Sequence, residues 1–234
     1  MKKLVIIPAY NEEENIIGVI KDLKGNAPDF DYVIINDCST DTTLDICKNE
    51  RFNYINMPIN SGIGIAVQTG YLYALQNGYD IVVQFDGDGQ HDASYLSSLI
   101  MPIINNEADF VIGSRFIKKE GFQTTLFRRF GVNLFRRLIS LLTHVRITDA
   151  TSGFRAAGKS AIEFLSENYA TDYPEPESIV SLIKNGYTIK EIPVVMRERK
   201  GGKSSINLLK SIYYMIKVVI AVIITYIKPK TKKN

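Results

Sequence analysis

The stretch QFDGDGQHD, residues 84–92, gathers three carboxylates, Asp86, Asp88 and Asp92, with no Lys or Arg among them. Like charges this close repel unless a cation lies between them or water surrounds them. Asp86 and Asp88 are two apart and so share a face of a strand, and Gly87 and Gly89 relax the backbone so that both can reach one ion. Oxygen ligands suit Mg2+ or Mn2+, which commonly bridge protein carboxylates to substrate phosphates. The apolar run Ile81-Val82-Val83 leads into the motif as a buried strand would, which argues against a loop that is merely solvated. A calcium loop beginning at Asp86 needs Gly at its sixth position and Glu at its twelfth, where this chain has His91 and Ser97. A phosphate loop of the form G-x-x-x-x-G-K-[ST] is missing: NSGIGIAVQTG has no lysine, and GGKSS at 201–205 lacks the first glycine. A phosphatase with an aspartyl nucleophile also begins Asp-x-Asp-Gly, and that reading stays open although Gln90 follows where a hydroxyl residue is expected.

The elements that would position this loop alternate along the first half. Leu4 to Ile7 reads as a strand stopped by Pro8, and Ile16, Ile17, Val19, Ile20 and Leu23 recur at helical spacing. Tyr32–Ile35, Tyr54–Asn56, Ile81–Phe85 and Phe110–Ile112 read as further strands, with helical sequence between most of them. This is the pattern of an α/β domain with a mostly parallel central sheet. Ligands of such sheets sit beyond the carboxyl ends of the strands, where PAYNEEEN, NDCSTD, DGDGQHD and GSRF all fall.

The second half is different. Leu-Phe-Arg-Arg occurs at 126–129 and again at 134–137, a spacing of a little over two helical turns. Arg128, Arg129, Arg136 and Arg137 therefore share a side of a basic amphipathic helix over 122–146, with Leu, Phe and Ile opposite. Such a helix reads as membrane-surface or partner-binding, against the plainer reading of a domain-surface helix. Residues 206–227 are strongly apolar but carry Lys210 and Lys217, and the basic tail KPKTKKN follows. The uninterrupted part, Val218 to Ile227, is half of the ~20 residues that a spanning helix needs. An in-plane interfacial helix is expected, with a spanning helix whose lysines snorkel and a helix buried in a homodimer as alternatives. The expected organisation is a catalytic unit over 1–205 followed by a membrane-associating helix and tail over 206–234.

The whole composition agrees with a globular protein: 234 residues, 45% hydrophobic, 23% charged and a formal charge of +3. Basic residues gather in the second half and acids in the first, as expected of a chain with one polyanion- or membrane-facing side. Nucleic acid is not an expected partner. Cys38 and Cys47 make no disulfide framework, so a reducing cytosol is expected, and the N-terminal apolar run is too short for a signal peptide.

Seven segments in order resemble family 2 glycosyltransferases of the nucleotide-sugar-binding GT-A fold, and among them the polyprenyl- or dolichyl-phosphate glycosyltransferases. They are IPAYNEEENI, INDCSTDTT, NSGIGIAVQTGYLYAL, DGDGQHD, IGSRF, TDATSGFRA and GYTIKEIPVVMRERKGGKSSI, covering residues 3 to 206. The resemblance implies that Pro8, Tyr10, Glu12 and Asp37 line the nucleoside pocket. It implies that Asp86 contacts the diphosphate region and that Asp88, with Gln90, holds a divalent Mg2+ or Mn2+. Arg115 matches an arginine near the acceptor phosphate, and Arg199, Gly202 and Ser204 match a loop that closes near the donor phosphates. The usual Asp-Asp-Gly-Ser is Asn36-Asp37-Cys38-Ser39 here, so one acid and the glycine are absent.

The implied chemistry is inverting displacement at a sugar's anomeric carbon, with a nucleoside diphosphate leaving. A sugar hydroxyl as nucleophile needs a carboxylate base. A phosphate monoester, with its second pKa at about 6, arrives ionised and needs cations to position it. Arg115, Arg128, Arg129, Arg136 and Arg137 suit that task, since guanidinium binds phosphate in two-pronged fashion. Asp149 and Glu177 are family-like acids that would serve a hydroxyl acceptor as base, or orient arginines and the donor sugar; as a structural acid Asp149 would pair with Arg146 or Arg155. His91 borders the expected metal, and His144 reads as structural. The expected function is transfer of one sugar from a nucleotide diphosphate sugar, with UDP preferred to GDP-mannose, to a polyprenyl phosphate. The expected place is the cytoplasmic face of the plasma membrane, peripheral or monotopic, with a small membrane-protein partner or a homo-oligomer as anchor. The alternatives are a family 2 transferase acting on a glycan hydroxyl and a non-catalytic sugar-nucleotide-binding subunit.

Overall fold

A computed structural model of the chain describes residues 1–118, 120, 126–172, 174–198 and 208–231, with the backbone only for 126–130, 208–212 and 214. Seven strands among the described residues form one sheet: β1 (Lys3–Ala9), β2 (Asp31–Asn36), β3 (Tyr54–Asn56), β4 (Ile81–Gln84), β5 (Phe110–Ser114), β6 (Arg155–Gly158) and β7 (Ile189–Pro193). Their spatial order is β3-β2-β1-β4-β6-β5-β7. β6 runs antiparallel to β4 and β5, and the other pairings are parallel.

The helices are α1 (Ile16–Asn26), α2 (Thr43–Asn49), α3 (Ile63–Gln76), α4 (Leu96–Ile104), α5 (Leu126–Thr143), α6 (Lys159–Asn168), α7 (Pro174–Lys184) and α8 (Leu208–Ile227). Strand alternation divides the core into two layers. Leu4, Ile6, Val33 and Ile35 pack with α3, α5, α6, α7 and α8 on one face. Val5, Ile7, Ile34 and Val83 pack with α1 and α4 on the other.

Pro8 does not end β1 as the sequence suggests. The ladder to β4 ends at the Ile6–Gln84 pair, while pairing with β2 continues through Pro8–Ile35 to Ala9–Asn36. Pro8 thus sits where the strand already has a neighbour on one side only, a position that tolerates the missing N–H. β6 also escapes the sequence pattern, being four residues long and opening on an arginine. Its effect is to bring the segment before it, residues 149–154, to the same sheet edge as the carboxyl ends of β1, β2, β4 and β5.

α5 and α8 pack side by side against α7 through Phe135, Ile139, Val218 and Val222. The Lys184 ammonium, on α7, binds the carbonyls of Thr225, Tyr226 and Lys228, capping the carboxyl end of α8. Among the described residues, no helix is long and apolar enough to cross a membrane.

Candidate active site

The acidic loop leaves β4 directly over the end of β1. Gly87 lies so close to β1 that an added Cβ would come within 3.0 Å of the Pro8 carbonyl and 3.6 Å of Glu12 Cγ. Gly89 turns the loop at φ 74°, a conformation that favours glycine. The Asp88 Oδ1 accepts the Gln90 amide at 3.0 Å. The Asp86 carboxylate is held at both oxygens: Gln84 Nε2 donates to Oδ1 at 3.3 Å and His91 Nε2 lies 3.1 Å from Oδ2. Burial works against its charge, but His91, Gln84 and the more distant Arg155 outweigh it, and the carboxyl is held below its ordinary range.

On the β1–β2 side, Asp37 is buried and accepts the amides of Ser61 and Gly62, both at 2.8 Å. It therefore shapes the turn that opens α3. Asn36 donates to Asn56 Oδ1 and accepts from Ser39 Oγ, each at 2.6 Å, a pair of roles that an aspartate could not fill. Cys38 keeps φ 56° although it is not glycine, so the left-handed turn survives the substitution. Asn11 fastens the two loops together, accepting from Thr40 N at 2.8 Å. Tyr10 is exposed beside this rim, and Glu12 is buried with Oε2 accepting from Asn15. The other wall comes from the chain after β7: Arg197 N donates to Gln90 O at 2.8 Å, and its guanidinium bridges Asp22 and Asp92. Arg199 and Ser204, two residues and more beyond, lie outside the described residues, as does Gly202.

The β5 side carries the positive charge. Arg115 follows β5 and forms a two-pronged pair with fully buried Asp149: Nε to Oδ2 at 2.7 Å and Nη2 to Oδ1 at 2.8 Å. Burial disfavours the guanidinium charge, but Asp149 outweighs it and raises the pKa of Arg115. Asp149 pairs with Arg115 rather than with Arg146 or Arg155. Glu191 fixes its backbone by accepting the amides of Thr148 and Asp149. Arg136 and Arg146 line a cavity of about 550 Å³ with Phe116, Ile117 and Val132 as its apolar wall. Arg137, one residue on, is exposed. The backbone of Arg128 and Arg129 belongs to α5, and their side chains lie outside what is described.

Two acids of α7 part ways. Glu177 Oε1 accepts from Thr225 of α8 at 2.7 Å. Glu175 instead lies within electrostatic reach of Asp86, Arg115 and Arg155, and burial pushes its carboxyl up from the ordinary value. Arg155 is fully buried and donates to the carbonyls of Ala150, Ser152 and Glu175 and to Ser178 Oγ. The sequence pattern does not mark Arg155 or Glu175 as site residues. A charged residue opening a strand of small residues was the available signal. His144 closes α5 at φ 58° and is exposed.

α5 and α8 invert the usual surface pattern. Val132 and Phe135 of α5 face the core while Leu141 is 74% exposed and Leu134 exposed beside it. α8 buries Val218 and Val222 and leaves Tyr213, Ile216, Ile220, Ile224 and Ile227 open, Ile227 at 74%. Surface helices ordinarily present polar residues on that side.

The residues expected to hold a cation here, Asp86, Asp88 and Gln90, would offer it carboxylate and amide oxygens. Among the described residues no three acid, His or Cys side chains converge as a ready metal cage. Oxygen donors of this kind would suit Mg2+ or Mn2+, which take one or two protein carboxylates and draw further ligands from substrate phosphates and water.

The arrangement defines a class before it defines a family. The chain superposes on glucosyl-3-phosphoglycerate synthase from Mycobacterium tuberculosis, solved with Mn2+, UDP and phosphoglyceric acid, with a TM-score of 0.75, at 19% identity, covering 98% of this chain and 80% of that one. The fold is therefore that of the GT-A glycosyltransferases. Residues 4–165 match glycosyl transferase family 2, and the chain belongs to that family. It is 35% identical over 210 residues to the UDP-N-acetylglucosamine–dolichyl-phosphate N-acetylglucosaminyltransferase of Methanococcus voltae, covering 81% of this chain and 83% of the relative. It is 28% identical to the polyprenol monophosphomannose synthase of Mycolicibacterium smegmatis, covering 88% and 81%.

Proposed function

We propose that this glycosyltransferase moves a single sugar from a nucleotide diphosphate sugar, UDP-linked in preference to GDP-linked, onto a polyprenyl phosphate. The acceptor phosphate oxygen attacks the anomeric carbon from the face opposite the leaving group. A new carbon–oxygen bond forms to the lipid phosphate, the bond to the nucleoside diphosphate breaks, and the configuration inverts. A divalent cation held by Asp86, Asp88 and Gln90 would offset the charge that builds on the leaving diphosphate. Asp37 shapes the turn at Ser61 and Gly62, and in this reading it lines the nucleoside pocket with Pro8, Tyr10 and Glu12; the match of Arg199 and Ser204 to a loop near the donor phosphates is part of the same proposal.

The observation that carries the acceptor is the cavity beyond β5. There Arg136 and Arg146 share a space with Phe116, Ile117 and Val132, a union of phosphate-binding cations and an apolar wall. Arg115 is the third cation, its direction set by Asp149. With Asp149 committed to that pair and Glu177 bonded to α8, neither carboxylate stands free as a base, and an ionised phosphate needs none. The names of the two relatives, a UDP-N-acetylglucosamine–dolichyl-phosphate N-acetylglucosaminyltransferase and a polyprenol monophosphomannose synthase, support the same reading. The open apolar sides of α5 and α8 support seating on a membrane surface; in this reading the chain sits at the cytoplasmic face, with residues 206–234 as the docking element and a membrane-protein partner or second copy assisting.

One observation favours the hydroxyl-acceptor alternative. Glu175 near Asp86 and Arg115 has a raised pKa, as a general base would. Radiolabelled nucleotide sugar, Mn2+ and vesicles carrying polyprenyl phosphate separate the two readings. The lipid reading expects label in the organic extract, and label found only in water-soluble glycan would overturn it.

A further inference from the structure

His91 is a polar ring in an apolar place. It is 3% exposed, stacks on Phe154 at 4.8 Å between centroids, and meets Phe85 edge-on at 5.3 Å. Neither of its ring nitrogens completes a well-aligned hydrogen bond among the described residues. The polar contact it does make is Nε2 to Asp86 Oδ2, at an ion-pair distance of 3.1 Å. Packing alone would be better served by Phe or Leu, since a buried imidazole without partners loses its hydration.

Gln84 mirrors it on the other oxygen. It is fully buried, and its amide is oriented by Tyr169, whose hydroxyl donates to Oε1 at 3.1 Å and leaves Nε2 for Asp86 Oδ1. Gly153 closes the third side: a Cβ there would stand 2.5 Å from Asp86 Oδ2. One carboxylate is thus flanked by an amide donor at Oδ1, an imidazole nitrogen at ion-pair distance from Oδ2, and no side chain on the Gly153 side.

We propose that His91 and Gln84 are positioning residues that fix the rotation of the Asp86 carboxylate, with Gly153 keeping its seat open, so that its remaining lone pairs face the metal and donor diphosphate. This rests on the reading that Asp86 serves that diphosphate. Partners of this kind typically contribute 10–100-fold to metal affinity.

Two His91 variants divide position from packing. His91→Phe keeps a ring on Phe154 and removes the nitrogen; His91→Gln loses the ring and keeps a donor near Nε2. Binding of Mn2+ is measured calorimetrically with whichever of UDP or GDP raises the wild-type melting midpoint, and melting is recorded for every variant. We expect H91F to melt at or above wild type yet bind about 10–100-fold more weakly, and H91Q to melt lower yet bind within about threefold. Gln84→Met should resemble H91F. H91F binding as wild type does, or H91Q losing as much as H91F, would overturn the proposal. Asp86→Asn is the control: normal binding there overturns the reading of Asp86 and the proposal with it, whereas weak D86N beside normal H91F overturns the proposal alone.

Discussion

The two ends of the active-site cleft are built in opposite ways. The donor end is made of short loops that follow successive parallel strands, and its carboxylates are held by nearby backbone amides and side chains: Asp37 by Ser61 and Gly62, Asp88 by Gln90, Asp86 by Gln84 and His91. The proposed acceptor end draws Arg136 and Arg146, which line one cavity, together with Arg115 and with Glu175 within electrostatic reach of it, from four separate segments. An anionic pocket beside a cationic and apolar one suits the proposed transfer between a soluble donor and a lipid acceptor. The donor must be held in one pose, while the acceptor arrives from another phase.

Perturbing each end should therefore give different kinetic signatures. At the donor end, Asp88→Ala should lower the transfer rate on the order of 10³-fold with any acceptor, since leaving-group stabilisation is lost. At the acceptor end, Arg136→Ala and Arg146→Ala should each raise KM for polyprenyl phosphate by roughly 10–100-fold, the worth of one charge-assisted contact, with KM for the nucleotide sugar unchanged. Steady-state kinetics with each substrate varied in turn would check both, and a shift in donor KM for the arginine variants would break the division.

The apolar faces give the next largest effect. Ile220→Glu with Ile224→Glu should weaken binding to anionic phospholipid vesicles at least ~10-fold, measured by co-sedimentation. Because both residues are about half exposed, the melting midpoint should hardly move.

The smallest effect concerns pH. The folded-state pKa of Glu175 lies above its ordinary 4.5 because burial resists its charge. Below that ordinary value the carboxyl is protonated in both states and no penalty exists. As pH rises through it, the unfolded chain ionises first and stability falls until the folded pKa is passed. Glu175→Gln should thus melt like wild type near pH 4 and higher than wild type at pH 7. Scanning calorimetry across that range checks it, and a variant less stable at neutral pH would contradict the assignment.

The same division decides what could be read without a structure. Asp86 and Asp88 were legible because a β-branched run followed by glycines and acids signals the carboxyl end of a buried parallel strand. β1, β2, β3, β4 and β5 were legible as short apolar or β-branched runs that pass into polar loops, with Pro8 misleading only because the sequence does not tell which neighbour a strand has lost. β6 was not legible: Arg155-Ala156-Ala157-Gly158 has little strand propensity, and its conformation comes from pairing on both sides. Pairing of Arg115 with Asp149 spans 34 residues and depends on that antiparallel return. Which of two acids on α7 faces the cleft depends on how the helix is rotated against α8, something the spacing of Glu175 and Glu177 does not specify.

The nature of the acceptor is tested most directly by offering the purified chain, with Mn2+ and its preferred nucleotide sugar, either polyprenyl phosphate or the matching polyprenol in identical vesicles. Mass spectrometry of the lipid extract should find a glycosylated phosphodiester from the phosphate and no product from the alcohol. Equal transfer to the free alcohol would contradict a site whose acceptor end is built from arginines.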